Sequence, residues 1–339
     1  MKLGMYSNGL HLSVDDMKTL WQTADRLGFD AGFICDNATN GLRTFPNRPN
    51  WDTWTLLPAL ATVTSRLRMG PLVSPCRRRH PAVMAKMTST FDVLSEGRLI
   101  MGMGASDHAQ FWRGWGMDYP PAKERIAYLS EEIQVIKRMW QEPRANFDGK
   151  YYRLFDAVNL PKPLQDPRPP IWIGLSEGRR LMPEVVAKHG DGFALVLGSD
   201  ADITERLGDI ADACKRVGRD YDEITKALQV YVTVTDDPNY DHGEGIARHG
   251  RELELGAEMT AKYVQVAAGG SLAENGSNAP TYRLVGSTDK ISEGLERLGR
   301  LGLDYLIIHF TSTSAPIGGD IEAVVADMEI FAAEVMPNF

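Results

Sequence analysis

LIMGMGASD, residues 99–107, carries the first decision about the fold. Leu99 to Met103 is apolar and continuous, without alternation, which is how a strand covered on both faces reads. Gly102 and Gly104 interrupt it, and the run ends in Ala105, Ser106, Asp107 and His108. Glycine weakens a strand interior and marks a place where another backbone or a ligand comes close. A strand of this kind belongs to a parallel sheet, and the polar residues at its end belong to a site.

Seven more short apolar runs flank it: LGMY (3–6), AGFIC (31–35), LRMGPLV (67–73), IWIG (171–174), GFALV (192–196), ALQVYVTV (227–234) and YLIIHF (305–310). Between them lie stretches with helical spacing. Ser13 caps the first, Asp15 and Asp16 sit in its first turn where they suit the helix dipole, and Gly28 ends it. Further helices are expected over about 53–64, 81–94, 122–141, 177–189, 202–217, 256–267, 288–300 and 320–335. Residues 143–170 break the rhythm: aromatic strand formers around Asp148-Gly149 predict a hairpin, and the prolines after it an extended linker. Strand and helix therefore alternate through eight repeats. The pattern predicts an α/β protein, a (β/α)8 TIM barrel formed by residues 1–339 as one domain, with insertions near 37–52, 108–121, 143–170 and 241–283. An open doubly wound sheet alternates similarly; eight strands and a helix after the last favour the barrel.

Composition removes several functions. The chain has 339 residues and a formal net charge of -8, with no long basic block, so no nucleic-acid partner is expected. RRRH at 77–80 is the densest basic spot and is far too short for a polybasic tail. No window suggests a membrane span or a signal segment. Cys35, Cys76 and Cys214 are odd in number and widely spaced, which fits a reducing cytoplasm rather than a disulfide framework. The histidines show no metal-ligand spacing, and neither a Walker motif nor GxGxxG follows the first strand.

In a barrel, chemistry lies at the C-terminal ends of the strands. Those ends offer Ser7 and Asn8, Asp36 and Asn37, Val73 to Pro75, Gly104 to His108, Gly174 to Arg179, Leu197 and Gly198, and His309. Two stand out. The small residues before Asp107 leave a bare surface on which a planar ring can lie. The IGLSEGRR turn sets backbone amides, Ser176, Arg179 and Arg180 at a helix start, a natural anion site. His80, before Pro81, reads as structural, and His189 ends a helix where a positive charge suits the dipole.

GPLVSPCRRRHPAVMAKMTSTFDVLSEGRLIMGMGAS resembles the luciferase-like monooxygenase superfamily, and the resemblance continues through ERIAYLSEEIQVIKRMWQE, FDGKYYRL, PKPLQDPRPPIWIG, HGDGF and VGSTDKISEGLERLGRLGLDYLIIHF. It implies a (β/α)8 barrel that uses reduced flavin mononucleotide (FMN) with oxygen, or the deazaflavin coenzyme F420 for hydride transfer. LVSP, PKPLQ and the helix before FDGKYY are similar to the deazaflavin branch. The resemblance implies a non-prolyl cis peptide at Leu72–Val73 against the cofactor ring, with Asp36 and Ser74 at ring-contacting positions. Gly104, Ala105 and Ser106 would lie beside the ring and its ribityl chain, and Gly174, Leu175, Ser176, Gly178 and Arg179 would form the phosphate turn. It also implies a small-molecule substrate and a homodimer.

One departure matters. Sugar-phosphate dehydrogenases of that branch carry a His base where this chain has Asn37, which cannot take a proton. Proton transfer would then fall to Asp107 or His108, with Asn37 bonding substrate or ring. The expected activity is F420-dependent hydride transfer at the deazaflavin C5. The alternatives are an FMN monooxygenase fed by a separate reductase and a flavin-binding protein without catalysis.

Overall fold

All eight runs pair in parallel, and the sheet they form curls back on itself. The structure is a computed structural model and describes residues 1–7, 12–36, 50–106, 109–176, 178–252, 282–314 and 320–339. β1 (Lys2–Ser7), α1 (Val14–Leu27), β2 (Ala31–Ile34), α2 (Thr53–Ala61), β3 (Arg68–Pro71), β4 (Ser74–Pro75), α3 (Pro81–Leu94) and β5 (Met101–Gly104) make the first half. α4 (Ala109–Gly114) and α5 (Ala122–Gln141) follow, then the antiparallel hairpin of β6 (Ala145–Asp148) and β7 (Arg153–Ala157). The second half runs β8 (Ile171–Leu175), α6 (Leu181–His189), β9 (Gly192–Leu195), α7 (Asp200–Val217), β10 (Thr225–Val234) and α8 (His242–Glu252). β11 (Tyr282–Gly286), α9 (Thr288–Arg300), β12 (Tyr305–Phe310) and α10 (Ile321–Glu334) complete it.

Around the barrel the order is β3, β2, β1, β12, β10, β9, β8, β5, β4. β3 and β4 are one strand broken at Leu72–Val73: β3 pairs with β2, and β4 pairs with β5. A single parallel bridge between Met69 and Leu99 brings the ends of the sheet together. The architecture is thus an α/β parallel barrel, nearly closed. β11 is a strand the sequence reading left inside a loop. It lies beside the upper half of β10, whose lower half pairs with β9.

Local chemistry explains most boundaries. Ser13 and Asp16 form a capping box on α1, and Gly28 ends it in the left-handed region. Asp52, Ser199, Ser287 and Asp320 cap α2, α7, α9 and α10. His80 caps α3, its Nδ1 accepting from the Ala82 N–H. The structure departs from the expected bounds at α6, which starts at Leu181 rather than at 177, after Gly178 at φ +91. The helix expected over 256–267 lies outside the described residues, and α4 and α8 are helices the sequence reading did not assign.

Two apolar layers hold the barrel. The larger lies between sheet and helices. The smaller fills the interior: Phe33, Ile100, Trp172, Tyr305, Ile307 and Tyr6, with Ala31, Ala194 and Ala227 among them. Side chains alternate along each strand, so Ile100 points inward and Gly102 and Gly104 share its face. A Cβ on Gly102 would sit 2.0 Å from the Pro71 carbonyl oxygen. The broken strand folds its own backbone into the space that any side chain at 102 would need.

Gly102→Ala should therefore destabilise the protein by about 3 kcal/mol, at the upper end of overpacking costs. Gly208 is a useful contrast, because it lies in α7 with nothing within 4 Å of an added Cβ. Gly208→Ala should stabilise by up to about 1 kcal/mol through helix propensity. Urea denaturation of the two variants checks both signs.

Candidate active site

The break between β3 and β4 lies in the barrel wall between β2 and β5. The Leu72–Val73 peptide is cis. The Leu72 N–H donates to the Ile34 carbonyl at 2.8 Å, and the Cys76 N–H to the Gly104 carbonyl at 2.8 Å. The Val73 side chain lies across two neighbouring strands: a Cβ on Gly104 would be 2.5 Å from its Cγ2, and one on Gly174 2.8 Å from its Cγ1. What approaches β5 so closely is therefore first of all the chain itself. Pro71 meets Gly102, and Val73 meets Gly104 and Gly174. The outcome is a wall of bare backbone and one isopropyl group.

Asp36 and Ser74 stand behind this wall. Cys35 faces the interior, so the next residue turns outward toward the helices. Asp36 is buried, and its Oδ2 accepts from Ser74 Oγ and Arg79, each at 2.7 Å. Arg78 reaches Oδ1 at 3.2 Å and also bonds the Asp36 carbonyl. Ser74 Oγ in turn accepts from Trp54 Nε1 at 2.8 Å, and Arg79 continues to Asp52 at 2.7 Å. Asp36 and Ser74, expected at ring-contacting positions, here have their polar atoms engaged in clamping the bulge. Two residues of the RRRH run, which sequence reading treated only as a charge feature, supply the cations.

Ala105 and Ser106 continue the bare wall. Ser106 has φ +64, its hydroxyl accepts from Trp112 Nε1 at 2.6 Å, and Arg125 Nε bonds both carbonyls. In the expected phosphate turn, Gly174 and Ser176 face inward, whereas Leu175 is buried in the outer layer. Gly178 lies just before α6, whose first turn has no side-chain cap. Arg179 is exposed and pairs with Glu205 and with Asp209 of α7, because these carboxylates are its nearest neighbours. Asn37, Asp107 and His108 lie outside the described residues, as do Asn8 and Glu177.

The opposite side of the mouth is polar, and sequence reading found only part of it. Tyr6, His309, Tyr231 and Arg283 stand there on β1, β12, β10 and β11. Burial holds the His309 imidazole neutral, with its pKa lowered to about 3, and Arg283 adds to the effect. Burial, followed by Cys35, raises the Tyr6 hydroxyl well above its usual range. His189 is also corrected: burial and Lys137 lower it to about 4, so it ends α6 as a neutral group bonded to Ser130 Oγ at 2.9 Å. Among the described residues, no three His, Cys, Asp or Glu side chains gather as a metal site would require, and no helix is long and apolar enough to cross a membrane.

Behind the bulge, Glu132 of α5 accepts from the Arg77 N–H and from Tyr152 Oη, both at 2.6 Å. Arg77 sits at φ +67 and lies over the rings of Tyr128 and Trp112. Burial raises Glu132 to about 7 against the pull of these donors.

Residues 2–304 match the model of the luciferase-like monooxygenase family. The chain belongs to that family. Luciferase-like relatives include the F420-dependent glucose-6-phosphate dehydrogenase of Segniliparus rotundus, 28% identical over 91% of this chain and 92% of the relative. The enzyme of the same name from Intrasporangium calvum is 28% identical over 93% and 92%. Among solved structures, an F420-dependent secondary alcohol dehydrogenase with an F420-acetone adduct superposes with a TM-score of 0.78 at 18% identity, covering 99% of this chain and 98% of that one. The long-chain alkane monooxygenase gives 0.72 at 17%, covering 97% and 91%. These likenesses establish the luciferase-like barrel. With the family, they make the chain a flavin- or deazaflavin-dependent oxidoreductase.

Two tests follow from the clamp and its support. Asp36→Ala leaves two largely buried guanidiniums without their shared anion and should destabilise by about 3 kcal/mol, as removal of one partner from a buried pair does; thermal melting reads this. For Glu132, the folded pKa of about 7 lies above the unfolded value of 4.5. The folded state thus holds more protons between those values, and stability from this group falls as pH rises from about 4.5 to about 7. Glu132→Gln, which keeps an acceptor oxygen, should remove that slope, so that its urea midpoint gains on the parent protein between pH 5 and pH 8.

Proposed function

We propose that the chain is an F420-dependent oxidoreductase acting on a small organic substrate in the barrel mouth. The observation that carries this reading is the pair of curated relatives, each F420-dependent by name and each aligned over more than nine-tenths of both chains. The mouth is compatible with it. A tricyclic ring needs a flat, bare surface on one side, and the Val73 side chain between Gly104 and Gly174 offers one. A phosphate needs N–H donors, and the uncapped first turn of α6 beyond Gly174 and Ser176 has them.

When bound, the deazaflavin supplies a carbon that gives or takes hydride. The protein's share is binding, orientation and exclusion of water. The bulge fixes where the ring can rest, because Pro71 and Val73 are wedged against two strands. The Asp36 clamp holds the bulge from behind. His309 and Tyr6 remain uncharged and are available as hydrogen-bond partners rather than as ionised bases. Proton transfer stays assigned to Asp107 or His108, with Asn37 as a hydrogen-bonding residue. An amide at that position argues against sugar-phosphate oxidation by the route of the named relatives.

Fluorescence titration with F420 and, separately, with FMN tests the reading. Tight, saturable F420 binding with weak FMN binding is expected. Val73→Asp, which sets a carboxylate on the bare wall, should weaken F420 binding at least tenfold. Tight FMN binding with substrate-dependent oxygen uptake would replace this reading with the monooxygenase one. Failure to bind either would remove the mouth as a cofactor site.

A further inference from the structure

Glu132 is a buried carboxylate that the chemistry at the mouth leaves unused, and it joins two elements distant in sequence. Its Oε1 accepts from the Arg77 N–H and from Tyr152 Oη, both at 2.6 Å. Tyr152 stands in the connection between β6 and β7. The neighbouring Glu131 pins that connection, accepting the N–H groups of Lys150 at 2.9 Å, Tyr151 at 2.8 Å and Tyr152 at 3.2 Å. Adjacent residues of α5 thus divide the work: Glu131 fixes the hairpin turn, and Glu132 ties the bulge to it.

The wall hangs from Arg77 by two routes. A non-glycine residue at φ +67 stays there only because its surroundings hold it. On one side of this turn, Cys76 donates its N–H to the Gly104 carbonyl at 2.8 Å; on the other, Arg78 and Arg79 return to Asp36. The second route is the side chain. The Arg77 guanidinium lies 5.7 Å from the Trp112 ring centre, and Trp112 Nε1 donates to Ser106 Oγ at 2.6 Å. Both routes end on the bare wall or on the clamp behind it.

Charge decides how firmly Glu132 holds. A hydrogen bond to a carboxylate is shorter and stronger than one to a neutral carboxyl group. Burial raises Glu132 to about 7, so its two forms exchange near neutrality. Cys76 and Arg77 face the carboxylate from the bulge, and Tyr152 faces it from the hairpin. Arg125 and Tyr128 of α5 stand beside Cys76 and Tyr152, and His80 at the head of α3 meets the Tyr152 ring edge to face at 5.5 Å. Burial pushes both the Cys76 thiol and the Tyr152 hydroxyl up, so they stay protonated where Glu132 titrates.

We propose that Glu132 is a positioning residue for the cofactor: its ionised form holds Arg77 firmly and, through Arg77, sets the clamp and the wall in the shape that takes the ring, whereas its protonated form loosens the wall and weakens binding. This rests on the reading of the mouth as the F420 site. Glu132 touches neither cofactor nor substrate and acts through the backbone of the bulge.

The test uses the full-length protein. F420 fluorescence titrations are run between about pH 5.5 and pH 8.5 on the parent protein, Glu132→Gln and Tyr152→Phe. The ratio of parent to Glu132→Gln affinity cancels whatever His80 and the cofactor itself contribute. That ratio should rise at least fivefold as pH increases through about 7. Tyr152→Phe should move the midpoint of the parent profile upward, because the carboxylate loses a donor. A second readout needs no ligand. In isotope-labelled protein, the indole N–H signals of Trp54, bonded to Ser74, and of Trp112, bonded to Ser106, should shift with the same midpoint in the parent and stay still in Glu132→Gln. The signal of Trp21, bonded to Ser7, should not move in either. A merely structural role would lower the melting point of Glu132→Gln and leave the ratio flat. The proposal is overturned if F420 binds and the ratio is flat, or if the Trp54 and Trp112 signals ignore Glu132. If those signals titrate and the parent protein never binds F420, the hold of Glu132 on the wall stands and only the cofactor reading falls. Should Glu132→Gln fail to fold, Tyr152→Phe against the parent protein carries both readouts, and an unmoved midpoint overturns the proposal.

Discussion

Everything at the mouth depends on one steric fact: Pro71 and Val73 occupy space that belongs, in a regular barrel, to side chains of the next strands. The Pro71 carbonyl fills the place of a Cβ on Gly102, and Val73 fills those on Gly104 and Gly174. Core packing tolerates little change in volume. The three glycines and the bulge therefore form one unit. They keep β3 and β4 out of line and leave a flat, apolar wall on one side of the opening.

A buried electrostatic clamp supports that unit. Asp36 is held by Ser74, Arg78 and Arg79, and Arg79 extends the link to Asp52, the cap of α2. Burying one carboxylate is costly alone and tolerable with two guanidiniums and a hydroxyl around it. Across the mouth Arg283 turns inward beside Tyr231, and among the described residues no carboxylate lies within ion-pair distance of it. The two sides of the opening thus differ in kind: apolar and rigid on β3 to β8, polar and partly unsatisfied on β1, β12, β10 and β11.

Much of this was legible in the chain. Continuous apolar runs mark strands covered on both faces, and Ser, Asp and Gly at helix ends mark their caps. Gly102 and Gly104 could be read as a close approach. What approached could not, because Pro71 and Val73 are distant in sequence and arrive by way of a break no local pattern announces. β11 was missed for a related reason: YRLVG has the composition of a strand but lies after a long polar stretch, and its partner is the upper half of β10. With it went Arg283. Arg179 was expected at a phosphate turn, and its pairing with Glu205 and Asp209 of α7 was not legible in the sequence.

The sequence by itself determined the alternation of strand and helix and the parallel barrel, since these follow from side-chain periodicity and from chain-local capping. The tertiary structure alone decided which residues meet. It turned Asp36 outward into a clamp and Arg283 inward beside Tyr231. Both outcomes are set by the two-residue period of a strand combined with its neighbours in the closed sheet. That combination is a property of register between distant segments, and register appears only when the barrel closes.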